Sequence, residues 1–255
     1  MKLLVLNAWG GRMHEPFLEF IKKKAGDTDI FCLQEVFSTP TDIEFSSGAK
    51  MNLYQDISKI LTSYQGYHSP KSKGYDYSGY IGKDIDFGNA FFIKKDIPVF
   101  SYEEIFDVIA VAGHDWKEHA IAGGQLATII YGKAPVAICH FHGAWIKGTH
   151  KKDTPERIEQ SHRVKKMLDA FQGEKILCGD FNLLPDGESI KILEKGMRNL
   201  IKDYSVASTR SSFYKTSNVG FADYVLVSPG IKVEDFKVLP DEVSDHLALE
   251  LDFSI

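Results

Sequence analysis

The chain has 255 residues, 44% of them hydrophobic, a formal net charge of -5 at pH 7 and three cysteines. That is enough apolar material for a single large domain over 1–255 with a sizeable core, while the acidic balance excludes a broadly basic surface of the kind that grips duplex nucleic acid non-specifically. The odd cysteine count argues against a disulfide framework, no run approaches the roughly 18 apolar residues of a membrane span, and the lack of an apolar leader points to the cytoplasm.

Leu3-Leu4-Val5-Leu6 reads as a strand ending at Asn7, and Gly10-Gly11 breaks it before a helix from Glu15 to Lys24, where Phe17, Phe20 and Ile21 share a face. Asp29 to Leu33 is the next strand and delivers Gln34-Glu35 at its end. A β-α-β unit pairs such strands in parallel, which sets Asn7 and Glu35 side by side. From Phe37 to Gly88 the pattern is mixed, with one helix around Met51 to Leu61 and a Tyr/Gly/Lys-rich stretch from Tyr64 to Tyr80 expected to be a substrate-facing loop. Asn89–Ile93, Val99–Phe106, Gln125–Tyr131 and Val136–Phe141 follow as strands, with turns at Lys95-Asp96-Ile97-Pro98 and Gly132-Lys133-Ala134-Pro135 that favour antiparallel pairing. Thr154-Pro155 opens a helix whose apolar face is Ile158, Val164, Leu168 and Phe171. Lys175-Ile176-Leu177 leads into Cys178-Gly179-Asp180-Phe181-Asn182. A helix near Glu188 to Lys195 precedes strands at Phe221–Val227, Ile231–Leu239 and Leu247–Phe253. Strand runs with interspersed helices make this a mixed α/β domain on more than one sheet. Cys32, Cys139 and Cys178 each fall inside an apolar strand and read as buried thiols. The basic runs Lys22-Lys23-Lys24, His150-Lys151-Lys152 and Lys165-Lys166 read as solvated faces or loop tips.

Polar residues gather where these strands end. Glu35 follows an apolar run directly, and its carboxylate is the safest metal ligand in the chain. Asp180 and Asn182 flank Phe181 at a strand end, and Ser244-Asp245-His246 leads into the alternating run Leu247 to Leu251. Oxygen-rich groups of this kind suit Mg2+ or Mn2+, and a hard cation beside histidines points to phosphoryl chemistry. Asn7 alone is as well explained as a turn former. His140 alone is as well explained as a core histidine, although His142 shares its face of the strand. Asp223, set among apolar residues, needs a buried partner, and His246 is the natural one.

Taken in order, Asn7, Leu33-Gln34-Glu35-Val36, Cys139-His140-Phe141, Gly179-Asp180-Phe181-Asn182, Ala222-Asp223-Tyr224-Val225 and Ser244-Asp245-His246 resemble the motifs of the endonuclease/exonuclease/phosphatase superfamily, the DNase I-like and exonuclease III-like hydrolases. Six motifs in one order cover nearly the whole chain. The resemblance implies a four-layered sandwich, two mixed β-sheets face to face with helices outside. It implies Asn7, Glu35 and Asp245 at a Mg2+ or Mn2+ site, Asp180 and Asn182 orienting nucleophile and phosphate, His140 and His246 on the scissile group, and Asp223 holding His246. Either Asp180 or the His246–Asp223 pair then serves as general base. Two departures stand out: Trp9 occupies a position where many exonuclease III-like nucleases carry aspartate, and Leu183-Leu184-Pro185-Asp186 lacks the arginine of inositol polyphosphate phosphatases. Arg12, Lys117, His119, Arg210 and Tyr214 carry phosphate-binding groups, but nothing in their spacing separates that role from packing, and they stay outside the expected site.

The expected activity is Mg2+-dependent hydrolysis of a phosphodiester, with a nucleic acid or nucleotide-like substrate, no stable membrane insertion and no protein partner. The alternatives are a phosphomonoesterase or sphingomyelinase-like lipid phosphodiesterase on the same fold, or a silent binding module. A calcineurin-type dinuclear site is excluded, because its Asp-x-His and Gly-Asn-His-Asp/Glu clusters are absent.

Overall fold

Leu3, Leu4, Val5 and Leu6 are all buried, although successive side chains on a strand point to opposite faces. Strand β1 (Lys2–Asn7) is therefore covered on both sides. The computed structural model describes residues 1–40, 48–77, 79–107, 122–132, 134–215 and 220–255. In it Leu3 and Val5 face a second sheet, while Leu4 and Leu6 face helix α1 (His14–Ala25).

The chain continues through β2 (Ile30–Ser38), α2 (Leu53–Ile60), β3 (Tyr64–Lys73), a ribbon of β4 (Tyr75–Asp76) and β5 (Gly79–Tyr80), then β6 (Asp86–Lys94), β7 (Val99–Asp107), β8 (Ala122–Tyr131) and β9 (Ala134–His142). Next come α3 (Pro155–Ala170), β10 (Glu174–Asp180), α4 (Glu188–Glu194), β11 (Arg198–Asn199), α5 (Leu200–Asp203), β12 (Asp223–Val227), β13 (Lys232–Val238) and β14 (Leu249–Ser254). Two six-stranded sheets result, ordered β13-β14-β1-β2-β6-β3 and β11-β12-β10-β9-β8-β7. Each is built around one parallel pair, β1 with β2 and β9 with β10, and the remaining pairings are antiparallel.

The two sheets pack face to face, with β1 against β10. Val5, Cys32 and Phe91 from one sheet meet Ile138, Ile176 and Cys178 from the other. Helices α1 and α2 cover the outer face of the first sheet, and α3 and α4 pack together beside the second. This is the expected sandwich of two mixed sheets with helices outside. All three cysteines are buried as free thiols. No described helix is long and apolar enough to cross a membrane.

Two expectations need correction. The stretch from Tyr64 to Tyr80 is not a loop: Tyr64–Lys73 forms β3, paired with β6 along the sheet edge. Its Gly, Pro and Lys content hides the strand, because an edge strand needs only one hydrogen-bonded flank and tolerates proline. The buried face of α3 is also less apolar than expected. Val164 and Leu168 are buried, but so are Arg157, Gln160 and Ser161, while Ile158 and Phe171 are only half-buried. Thr154 does cap the helix, accepting from the Arg157 amide. Lys117, His119 and Lys133 lie outside the described residues.

Candidate active site

The inner rows of both sheets turn polar at one edge. Along β1 the row Leu3, Val5 continues to Asn7, and along β2 the row Ile30, Cys32 continues to Gln34. In the other sheet Val136 and Ile138 lead to His140 and His142, Ile176 and Cys178 to Asp180, and Val227 and Val225 to Asp223. Register places these ends together, with Asn7 beside Gln34, Cys178 beside His140 and Asp180 beside Asp223.

Two bulges add charged residues to the same edge. The β2–β6 register shifts between Leu33 and Val36, where Glu35 sits at φ 56. The β3–β6 register shifts between Pro70 and Ser72, with Lys71 in the gap. A bulge re-aims a side chain out of the regular alternation. Trp9 (φ 50) and Asn182 (φ 53) also adopt the left-handed region, at a cost of about 1–3 kcal/mol each, so backbone strain collects around the site. Gly179 (φ 135) closes β10 where a Cβ would stand 1.9 Å from the Phe141 carbonyl oxygen; only glycine lets the two strand ends approach so closely.

Asn7 lies at the centre of the carboxylates. Its Nδ2 donates to Glu35 Oε1 and Asp180 Oδ2, both at 3.0 Å, and its Oδ1 accepts from the Trp9 amide at 2.9 Å. Asn7, expected at the metal site, thus ties Glu35 to Asp180 through its amide nitrogen. Glu35, 19% exposed, also accepts from Tyr77 Oη at its other oxygen. Asp180 Oδ1 accepts from the Asn182 amide at 2.9 Å, and Asn182 Nδ2 donates to the Gly143 carbonyl at 3.2 Å.

On the opposite wall, His246 Nδ1 is bound by both Asp223 oxygens at 2.9 and 2.8 Å, and Thr209 Oγ1 donates to the same carboxylate at 2.8 Å. Ser244 Oγ donates to the Asn7 carbonyl at 2.7 Å and accepts from the His246 amide at 3.2 Å, fastening the Ser244-Asp245-His246 turn to the end of β1. His246 Nε2 lies 3.6 Å from Asp180 Oδ2. Arg210 places Nη1 against that nitrogen and 3.3 Å from Asp245 Oδ2. Asp245, expected on the metal or beside it, lines the same cavity outside the Glu35–His142–Asp180 group and pairs with Arg210.

The histidine of β9 needs the clearest correction. His140 is 0% exposed, its Nε2 against Gln34, its Nδ1 3.2 Å from Gln125 Oε1 and its ring edge-on to Phe91. It lies beneath the site and does not line the cavity. His142, one strand repeat nearer the edge, does line it, with Nε2 4.0 Å from Glu35 Oε1 and 3.8 Å from Asp180 Oδ2. The usable signal was position: an imidazole at the last residue of a strand faces the edge, and one two residues earlier faces the core.

The cavity has a volume of about 360 Å3. Glu35, Asp180, Asn182, Asp245 and His246 line it as expected, with Asn7 and Asp223 directly behind them. Sequence reasoning missed or set aside Trp9, Arg12, Tyr77, Trp145, Lys151, Arg210 and Tyr214 on the same walls. Lys151, read as a loop-tip charge, is 6% exposed; its Nζ donates to the Phe221 carbonyl at 2.9 Å and stands over the Tyr214 ring. Lys71, 7% exposed, has no hydrogen-bond partner for its ammonium among the described residues.

These surroundings set the charges. Burial, aided by the Lys71 ammonium, pushes His140 down to about 3, and the same two causes hold His142 well below the ordinary histidine range. Burial lowers Lys71 to about 7 against the pull of Glu35 and Asp180. Burial alone would raise Asp180, but His246, His142, Lys151 and Arg210 outweigh it and hold this carboxyl below the usual range. For His246, burial and Arg210 press downward, and the carboxylates of Asp223, Asp245 and Asp180 prevail and raise it.

Glu35, His142 and Asp180 each offer one donor atom, all within 4.8 Å of one another. The His142 gaps to both carboxylates are too wide for hydrogen bonds. Two hard oxygens and an imidazole at this spacing fit a divalent cation, which when bound would polarise a phosphoryl oxygen and neutralise developing charge. The protein's own groups can orient a phosphoryl group through Asn182, Arg210 and Lys151, and move a proton at His246 with Asp223 fixing the imidazole.

Comparison with known proteins agrees with this geometry. Residues 4–246 match the profile of the Endonuclease/Exonuclease/phosphatase family. No curated protein gives a significant sequence match. Among solved structures, the mannosyl-6-phosphatase Bt3783 of Bacteroides thetaiotaomicron is 17% identical, with 100% of each chain covered and a TM-score of 0.71. An endonuclease/exonuclease/phosphatase family protein of Leptotrichia buccalis is 17% identical, with 100% of each chain covered and a TM-score of 0.73. The human Nocturnin catalytic domain with bound sulfate is 20% identical, covering 100% of this chain and 93% of that one, with a TM-score of 0.70. With the motif order, the two-sheet sandwich and the edge cluster in agreement, the chain belongs to the Endonuclease/Exonuclease/phosphatase family of hydrolases acting on phosphoric ester bonds.

Proposed function

We propose that the chain is a Mg2+-dependent phosphodiester hydrolase, acting by in-line attack of water on a nucleic acid or nucleotide-type diester. The observation that carries this reading is the junction of two half-sites in one cavity: the Glu35–His142–Asp180 group on one side and the Asp223-fixed His246 on the other, meeting at Asp180. Glu35, with Asp180 and His142, holds the metal. His246 serves as general base, because Asp223 engages Nδ1 and turns Nε2 toward the cavity, where Arg210 approaches it. Asp180 and Asn182 orient water and phosphate, and the Trp145 ring on the cavity wall, 42% exposed, offers a flat face to a base.

A second reading, phosphomonoesterase, is favoured by the cations Arg12, Lys151 and Arg210 on the cavity wall, which suit a dianion, and by the phosphatase among the structural neighbours. Hydrolysis of a bis-aryl phosphodiester and an aryl phosphomonoester, each with Mg2+, Mn2+ or chelator, separates the two. Diester turnover should vanish with chelator and fall at least about 100-fold in Glu35→Gln and His246→Ala. Asp223→Asn should cause a loss similar to that of His246→Ala and not additive with it. Turnover of the monoester alone would select the second reading, and chelator-resistant turnover would refute the metal assignment.

A further inference from the structure

Arg12 is the one cavity-lining cation without a polar partner among the described residues. Arg210 is tied to Asp245 and His246, and Lys151 to the Phe221 carbonyl. The Arg12 side chain makes no hydrogen bond or ion pair among the described residues, and its Nε is shielded from solvent with nothing there to donate to. Its guanidinium lies instead against two rings, 4.9 Å from the Trp9 centroid and 4.5 Å from the Tyr77 centroid. Shielding an N–H from water without an acceptor is costly, and stacking on two aromatic faces returns only part of that cost.

Both residues are tied to the Asn7–Glu35 edge of the cavity. Trp9 is fixed by its amide hydrogen bond to Asn7 Oδ1, and Tyr77 by its hydroxyl on Glu35. Tyr77 also fills the space over Gly10 (φ 63), where a Cβ would come within 2.8 Å of its ring. The guanidinium is thus held at a set position on the Glu35 wall, opposite the Arg210–His246 wall. Trp9, where many exonuclease III-like nucleases carry an aspartate, serves as a platform for a cation. A ring-stacked guanidinium keeps its N–H edge free, and that edge matches the paired oxygens of a phosphate.

We propose that Arg12, on the Trp9–Tyr77 platform, forms a second anion subsite that binds a phosphate of the substrate other than the one being cleaved. The preferred substrate then carries at least two phosphates, as a nucleotide strand or a nucleoside bisphosphate does. The subsite deepens the phosphohydrolase reading and rests on it for the position of the scissile group.

Calorimetric titration of the Mg2+-loaded protein with thymidine 3′,5′-bisphosphate and with each thymidine monophosphate tests the subsite without turnover. The bisphosphate should bind wild type at least about 10-fold more tightly than either monophosphate, as expected for one charge-assisted bidentate contact. In Arg12→Ala that advantage should fall below about 3-fold, and Arg12→Lys, which lacks the planar fork, should recover only part of it. A folding defect would weaken all three ligands together and leave their ratio unchanged. No advantage in wild type, or an advantage kept in Arg12→Ala, overturns the subsite. Turnover of the bis-aryl diester reads the parent proposal separately: turnover without the advantage removes only the subsite, and the advantage without turnover removes only the hydrolase reading.

Discussion

A proton added to His140 would meet no carboxylate. The ring is enclosed by Gln34, Gln125 and Phe91, and its folded value near 3 lies below the unfolded value of 6.5. Between those two values the unfolded chain binds the extra proton, so stability must rise with pH across that window and be lost as pH falls through it. The loss at pH 4 should be about 3 kcal/mol from this residue, and His140→Gln should show a flatter stability profile from pH 6.5 down to 4 in urea titrations. His142 is held below its ordinary range as well, so His142→Ala should flatten the same window and in addition reduce turnover about 100-fold. Motif order located most of the site: Glu35, Asp180, Asn182, Asp245 and His246 all line the cavity, with Asp223 behind His246. It chose His140 over His142, because both occupy the same face and only depth, which the sequence does not record, separates them. Lys151 and Arg12 were illegible for another reason, since nothing local to a loop lysine or arginine records which distant ring or carbonyl it will reach.

At the scale of elements, α3 shows why hydrophobic periodicity understated one helix. Its buried positions are taken by Arg157 and Gln160 because they hold the segment that follows β9. Arg157 donates to the Ala144 carbonyl at 3.2 Å, to Thr149 Oγ1 at 2.8 Å and to the Lys152 carbonyl, while Gln160 Oε1 accepts from the Ala144 amide at 3.0 Å. That segment carries Trp145 and Lys151 into the cavity. Arg157→Ala leaves buried carbonyls unpaired and should cost about 2–4 kcal/mol in thermal or urea unfolding. It should also raise KM more than it lowers kcat, since Lys151 would be misplaced while Glu35 and His246 stay anchored elsewhere. Arg157→Lys should not restore either quantity, because a point charge cannot reach three acceptors in a fork. The edge strand β3 escaped sequence reading for a related reason: its residues answer to one neighbour and to a bulge, so neither alternation nor composition is regular.

Across the whole molecule, the inner faces of both sheets are apolar through the middle and polar at one end, so the same strands supply the core and the candidate site. Cys32 and Cys178 sit in that shared core, and burial holds the Cys32 thiol well above its ordinary range. All three thiols should therefore react with an aromatic disulfide reagent only as fast as the molecule unfolds globally, with rates rising steeply in urea. Fast labelling of any one in the absence of denaturant would show a local opening that the packing does not suggest.

The place of β14 carries a further consequence. It lies between β13 and β1 inside its sheet, and the Ser244-Asp245-His246 turn that precedes it is pinned to the end of the first strand. The earliest and latest parts of the matched region must therefore meet before His246 can face Asp180 across the cavity. During synthesis a growing chain stays inert until His246 has left the ribosome and the strand after it has slotted home. Truncation anywhere upstream of Ser244 removes that turn and β14 together, and with them the imidazole that Asp223 holds in the cavity.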